Sequence, residues 1–236
     1  MEVHGRTRVP ARHVGVPNWV LKTTMAVTGT VMALFVLVHM LGNLKILIDP
    51  GEMDTYAAWL REVGVPLLPH GGLLWIVRIV MAACLVAHVW CALVLAWRGR
   101  RTGTPGSWRA MGLRGWGARL MLPTGVLLLV FVAVHLLDLT IGRLVASPAF
   151  RHPDPGFHAS ANVAASLGRP VMASFYLIVL FGLAVHLAHG LPLAWQDVGG
   201  SGPRSRDVAR VVGLLVAVMI LVGDAVVVIV SWTGGP

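Results

Sequence analysis

Four histidines, His39, His88, His135 and His186, sit deep inside four long apolar segments. An ionisable side chain is costly within a bilayer-spanning helix, so each is read first as functional. Imidazole binds metals, carries protons and donates or accepts hydrogen bonds. The four are separated by about one membrane crossing plus one loop, and successive crossings run in opposite directions. His39 and His135 come late in the first and third segments. His88 lies nine residues before Trp97, and His186 nine before Trp195, in the second and fourth. At 1.5 Å of rise per residue across a core of about 30 Å, the spacing predicts two pairs about 14 Å apart in depth. The pairs are His39 with His135 and His88 with His186.

One histidine from each of two facing helices at one height is what bis-histidine ligation of a haem iron requires, so two levels predict two haems b. The plainer alternative is four isolated core histidines bonded to backbone or Ser/Thr groups. It suits one histidine better than four matched in height. A zinc or di-metal site would gather its ligands at one level and add carboxylates, which are missing around His88 and His186. His189, three residues after His186, projects from a similar face and competes with it as ligand. The depth match with His88 favours His186. His189 is then left to bond a haem propionate, line a quinone pocket or sit at a wet interface.

Other polar groups surround these positions. Arg78 lies about six residues into the second segment, where it would either snorkel to headgroups or pair with an outer haem propionate. Asn43 and Asp138 follow His39 and His135 by four and three residues and share their faces. They are candidates to hydrogen-bond a quinone. The plainer alternatives are a cap on the first helix for Asn43 and a solvated helix end for Asp138. An inner quinone site near Lys22, Arg119 and His189 competes with them. Asp224 is expected to hydrogen-bond within the bundle, with a proton path as the alternative. Thr28, Gly29 and Thr30, and Thr124 with Gly125, would admit either a porphyrin face or a close helix contact.

The elements that position these residues follow from composition. The chain has 236 residues, 56% hydrophobic and 12% charged. A soluble domain would carry roughly twice that charged fraction. An all-α membrane protein is therefore expected, a bundle of five transmembrane helices over Val20–Ile48, Gly72–Trp97, Leu120–Ile141, Pro170–Trp195 and Val208–Trp232. Residues 98–119 and 143–169 are expected as loops outside the membrane. Residues 1–19 form an N-terminal tail, and residues 20–236 one transmembrane di-haem domain. No cleavable signal peptide is expected. The net charge of +9 is not a nucleic-acid signature, because the basic residues lie at the ends of apolar runs. Cys84 and Cys91 are expected to pack as small hydrophobes.

Trp19, Trp97, Trp116, Trp195 and Trp232 mark segment ends. Arginines gather in the N-terminal tail (Arg6, Arg8, Arg12), the second loop (Arg98, Arg100, Arg101, Arg109, Arg114, Arg119) and the fourth (Arg204, Arg206, Arg210). The first loop and the third, with Asp154, carry less positive charge. The positive-inside rule then puts the N-terminus in the cytoplasm and the C-terminus outside.

Across nearly its whole length the chain resembles the single-chain, di-haem cytochrome b membrane anchor of succinate dehydrogenase/fumarate reductase. Val38-His39-Met40-Leu41-Gly42-Asn43 is similar to the family's first ligand segment, Val86-Ala87-His88 to its second and Val134-His135-Leu136-Leu137-Asp138 to its third. His186-Leu187-Ala188-His189-Gly190-Leu191 is the most specific match, and there the first histidine is the ligand. The chain departs from the family before His186, where Ala184 and Val185 offer no carboxylate to carry protons.

The resemblance implies five helices, with haem ligands on the first four and first-with-third, second-with-fourth pairing. It implies a flavoprotein and an iron–sulfur subunit docked on the cytoplasmic face of a bacterial inner membrane, in respiratory complex II. Electrons would pass from the last cluster through the inner and then the outer haem to a quinone, with menaquinone favoured by the di-haem arrangement. The succinate site would lie on another polypeptide, and the complex could oligomerise. The alternatives are a di-haem b subunit of a formate dehydrogenase or hydrogenase, and a haem-free anchor or transporter. Broken helices and paired repeats, usual in transporters, are not evident.

Overall fold

A computed structural model describes residues 15–102, 112–153 and 156–234. The expected tail arginines Arg6, Arg8 and Arg12, together with Arg109 and Asp154, lie outside the described residues, as do the side chains of Arg114 and Trp116. The described elements are α1 (Asn18–Asn43), continued by a 3-10 turn (Leu44–Leu47), α2 (Pro50–Glu62), α3 (Gly72–Thr102), α4 (Gly112–His135), continued by a π-helical turn (Leu136–Ile141), α5 (Ala159–Leu167), α6 (Pro170–Asp197) and α7 (Pro203–Trp232). There is no strand among the described residues. Five helices are long and apolar enough to cross a membrane: α1, α3, α4, α6 and α7. By length and composition the chain is a multi-pass membrane protein.

Two expectations about the connections are corrected. Residues 98–119 are not one loop: α3 runs on to Thr102, and α4 has begun by Gly112. Hydropathy marks where a chain leaves lipid, whereas a helix continues while its backbone bonds are made. Arg100 and Arg101 stand in the last turn of α3, where cations meet the negative end of the helix dipole. Arg101 also lies 3.6 Å over the Trp97 ring. The first and third loops, expected only as connections outside the spans, contain α2 and α5. α2 has a local cause. Asp49 accepts a hydrogen bond from the Gly51 amide at 2.6 Å, and Pro50 takes the first helical position.

The centre of the bundle is α1, α6 and α7. α6 and α7 form an extensive pair joined by the short turn before Pro203, and α1 lies against both. Small side chains let these backbones approach: Ala33, Ala217 and Gly213 stand at the contacts, with Ile220 and Leu187 filling between them. α3 is attached through α1, with a lesser contact to α2, and α4 through α6. In α3 and α4 only 6% of the residues of the most apolar stretch are buried, against 22–33% in the other three. Trp19, Trp97, Trp195 and Trp232 are exposed near helix ends, the placement that suits a membrane interface.

α2 and α5 pack together at the end of the bundle where α1 and the π-helical turn finish and α6 starts. The Asp54 carboxylate joins them, accepting from the Ser160 amide at 2.9 Å and the Ser160 hydroxyl at 2.8 Å. Ile46, Met53, Leu167, Tyr176 and Val227 pack beneath them. Asp54→Ala removes both bonds, each to a charged acceptor, at a cost on the order of 2 kcal/mol. Hydrogen exchange over residues 157–168 of the membrane-reconstituted protein should speed up while exchange in α6 and α7 stays unchanged.

Candidate functional site

His88 projects from α3 onto α1. Its Nδ1 lies 3.0 Å from the Met25 carbonyl and 3.3 Å from Thr28 Oγ1. The Thr28 hydroxyl donates to the Thr24 carbonyl at 2.7 Å, so its oxygen is left to accept. Nδ1 therefore carries the proton. The ring rests on Gly29, where an added Cβ would stand 2.9 Å from His88 Cε1.

His186 has the same relation to the next pair of helices. It projects from α6 onto α4, with Nδ1 3.0 Å from Thr124 Oγ1, and Thr124 donates to the Leu120 carbonyl at 2.5 Å. Gly125 lies beside the ring. The two seats match in sequence. Thr28-Gly29 is followed after nine residues by His39, and Thr124-Gly125 after nine residues by His135. On each seat helix the glycine and the later histidine are ten residues apart, about 15 Å along the axis. Along each seat helix the guest ring therefore sits about 15 Å from that helix's own histidine.

His39 and His135 meet across α1 and α4. Their ring centroids are 5.9 Å apart and their planes 86° apart. Two metal–imidazole bonds of about 2 Å each, added to the ring radii, bring centroids to roughly 6 Å. His39 stacks on Phe35 at 5.6 Å and makes no hydrogen bond among the described residues. His135 Nδ1 lies 3.3 Å from the Tyr176 hydroxyl on α6, with Phe131 alongside at 5.4 Å. Directly after His135 the backbone widens into the π-helical turn, a distortion frequent at functional sites.

The donor chemistry fits axial ligation. Three imidazoles have Nδ1 tied to an oxygen, and among the described residues no Nε2 of the four is hydrogen-bonded. That is the tautomer a metal ligand needs, with its second nitrogen fixed by a neighbour. Among the described residues no three His, Cys, Asp or Glu side chains converge. The pairs suit an ion that takes its remaining ligands from a macrocycle.

The other expected residues are distributed as follows. His189 lies one turn beyond His186 with its ring against Gly117 of α4. Asn43 does not cap α1: its Nδ2 donates to Asp224 Oδ1 at 3.0 Å, linking α1 to α7 inside the bundle. Asp138 is not a solvated helix end. It is 0% exposed, paired with Arg169 at 2.9 Å, and accepts from Ser166 and Tyr176. Its oxygens are therefore already engaged. Arg78 is exposed, 5.0 Å from the Trp75 ring, at a hollow of about 380 Å³ that Arg61, His70 and Phe157 also line. The Arg61 guanidinium lies 4.0 Å over Phe157, and burial, followed by the nearby Arg78 charge, lowers its pKa. Cys84 and Cys91 are free thiols.

Sequence reasoning missed Tyr176, Ser166, Arg169, Arg61 and the Met25 carbonyl as partners. One signal was legible: the Thr-Gly step recurs at the same distance before a histidine in two segments. Set beside family models, curated proteins and solved structures, the chain matches none.

The two seats differ in tightness. An alanine Cβ at Gly29 meets the His88 ring at 2.9 Å, whereas at Gly125 it meets His186 Cε1 at an ordinary 3.7 Å. Gly29→Ala should destabilise by about 1–3 kcal/mol through overpacking, and Gly125→Ala by much less. Thermal midpoints of the two purified variants check this, and equal midpoints would remove the seat from the argument.

Proposed function

We propose that this chain is the membrane anchor and cytochrome b subunit of a succinate:quinone oxidoreductase, holding two haems b between its partner subunits and a quinone. The observation that carries the reading is the double pairing. His39 faces His135 at 5.9 Å, and His88 and His186 occupy matching Thr-Gly seats one level away. His39 with His135 would hold one iron, and His88 with His186 the other. His186 is preferred to His189 because only it has the threonine bond that matches His88. When bound, the haems supply one-electron transfer; the chain supplies spacing, orientation and exclusion of water.

The residues divide the work by position. Thr28, Met25 and Thr124 hold imidazole protons on Nδ1 and keep Nε2 available. Arg78 and Arg61 offer cations to a carboxylate at the hollow beside α3, which suits a haem propionate. Arg98, Arg100, Arg101, Arg204, Arg206 and Arg210 all lie at the end of the bundle opposite α2 and α5. By the positive-inside rule this is the cytoplasmic end of a bacterial inner membrane, and there the iron–sulfur and flavoprotein subunits would dock. The C-terminus and the α2–α5 cap then face outside. The quinone, with menaquinone as the expected acceptor, would bind near the outer pair beside Asn43, whose carbonyl oxygen is free of hydrogen bonds among the described residues. The competing position is the inner end near Lys22, Arg119 and His189. The dicarboxylate chemistry belongs to the flavoprotein.

A pyridine haemochrome assay on the complex purified through this chain should give two haems b per chain. His88→Ala and His186→Ala should lose the same haem, and His39→Ala and His135→Ala the other. A haem-free complex, or four variants with unaltered spectra, would defeat the proposal. Reduction of ubiquinone analogues but of no naphthoquinone would defeat the choice of menaquinone alone.

A further inference from the structure

One of the four imidazoles is backed differently from the rest. His88 and His186 rest their Nδ1 atoms on a carbonyl and on threonine oxygens, all neutral. His39 has no hydrogen bond among the described residues. Behind His135 stands a chain of polar groups ending in a full charge. Asp138 is wholly buried, a position a carboxylate keeps only when paired and hydrogen-bonded. Arg169 Nη2 donates to its Oδ1 at 2.9 Å, and Ser166 Oγ donates to its Oδ2. The guanidinium is itself fixed by the Val145 carbonyl at 2.8 Å and the Ser166 carbonyl at 3.2 Å. The Tyr176 hydroxyl donates its one proton to Asp138 Oδ2 at 3.2 Å, so toward His135 Nδ1, 3.3 Å away, its oxygen can only accept.

We infer that Arg169, Asp138, Ser166 and Tyr176 form a positioning relay that fixes the tautomer of His135 and polarises its ring, setting the electronic character of the His39–His135 site apart from that of the other. The inference rests on the di-haem reading. An acceptor behind a ligating imidazole raises its basicity, and hydrogen-bond chains in a low-dielectric interior strengthen one another. A tyrosine oxygen leaning on a carboxylate is a stronger acceptor than a threonine oxygen whose proton goes to a backbone carbonyl. The more electron-rich imidazole favours the oxidised iron, so the relay lowers the potential at this site. Each relay member acts through His135. None is placed to touch the iron.

The test uses the intact complex in membranes, with Tyr176→Phe, Asp138→Asn and, as a control on the other site, Thr124→Val. Haem content, optical redox titration and low-temperature electron paramagnetic resonance are read on each. The expected result is two haems retained, with Tyr176→Phe raising the midpoint of one haem by at least a tenfold change in its reduction equilibrium, ~59 mV for one electron. Its low-spin signal should change as well. Asp138→Asn should move the same haem in the same direction, and Thr124→Val should move only the other. Asp138→Asn keeps the side-chain shape and carries the test if the phenylalanine variant fails to assemble. Two retained haems with unmoved potentials and signals would overturn the relay while leaving the di-haem reading intact, as would equal movement of both haems. A wild-type complex without haem would overturn both.

Discussion

An imidazole in the interior of a bilayer has two nitrogens and no water to satisfy them, so the protein must supply a partner for at least one. That requirement organises the centre of this chain. Three of the four histidines within the spans give Nδ1 to an oxygen on a neighbouring helix. In each case the accepting hydroxyl has already spent its proton on another acceptor: Thr28 on the Thr24 carbonyl, Thr124 on the Leu120 carbonyl, Tyr176 on Asp138. The direction of every bond is thereby fixed without seeing a hydrogen. Nε2 is the atom left over, and it is the only ring atom with which these side chains can bind anything further.

The same requirement explains the helix packing. A threonine oxygen reaches an imidazole on the next helix only if the two backbones lie close, and at Gly29 the absence of a side chain is what admits the ring. Thr28-Gly29 seats a ring from α3, and Thr124-Gly125 seats one from α6. Each seat helix then carries its own histidine ten residues later. α1–α3 and α4–α6 are thus two copies of one device, a seat and a donor on the first helix and a guest ring from the second. The copies meet where His39 faces His135. α3 and α4 are each bound to the bundle mainly along the helix with which they form a seat.

The five spans, the four histidines and their two depths were legible in the sequence because lipid imposes simple rules: length for a span, cost for a buried polar group, alternation for direction. The seat was half legible. Its residues stood out as small and polar, but the choice between a porphyrin face and a helix contact needed coordinates. The relay behind His135 could not be read. In sequence Asp138 stands near a segment end, and Arg169 counts only as one charge of the third loop. Neither position reveals that the π-helical turn and α5 close over them, bringing Ser166, Arg169 and Tyr176 onto one carboxylate. Helices α2 and α5 were missed for a related reason, since their amphipathic faces are short and their partners lie far away in sequence.

The groups behind the two levels of histidines differ in charge. Behind His135 the chain buries the Asp138 carboxylate, pairs it with the partly exposed Arg169 and closes over it with α5, which α2 in turn holds through Asp54. A buried carboxylate is costly to leave without its partners, and Arg169, Ser166 and Tyr176 supply them here. Among the described residues the groups hydrogen-bonded to His88 and His186 are neutral, one backbone carbonyl and two threonines within the spans. Neutral acceptors hold an imidazole in place without adding charge behind it, whereas an acceptor leaning on a carboxylate also pushes electron density into the ring. The asymmetry therefore lies in the protein groups behind the histidines, before any difference in what the two sites bind is considered.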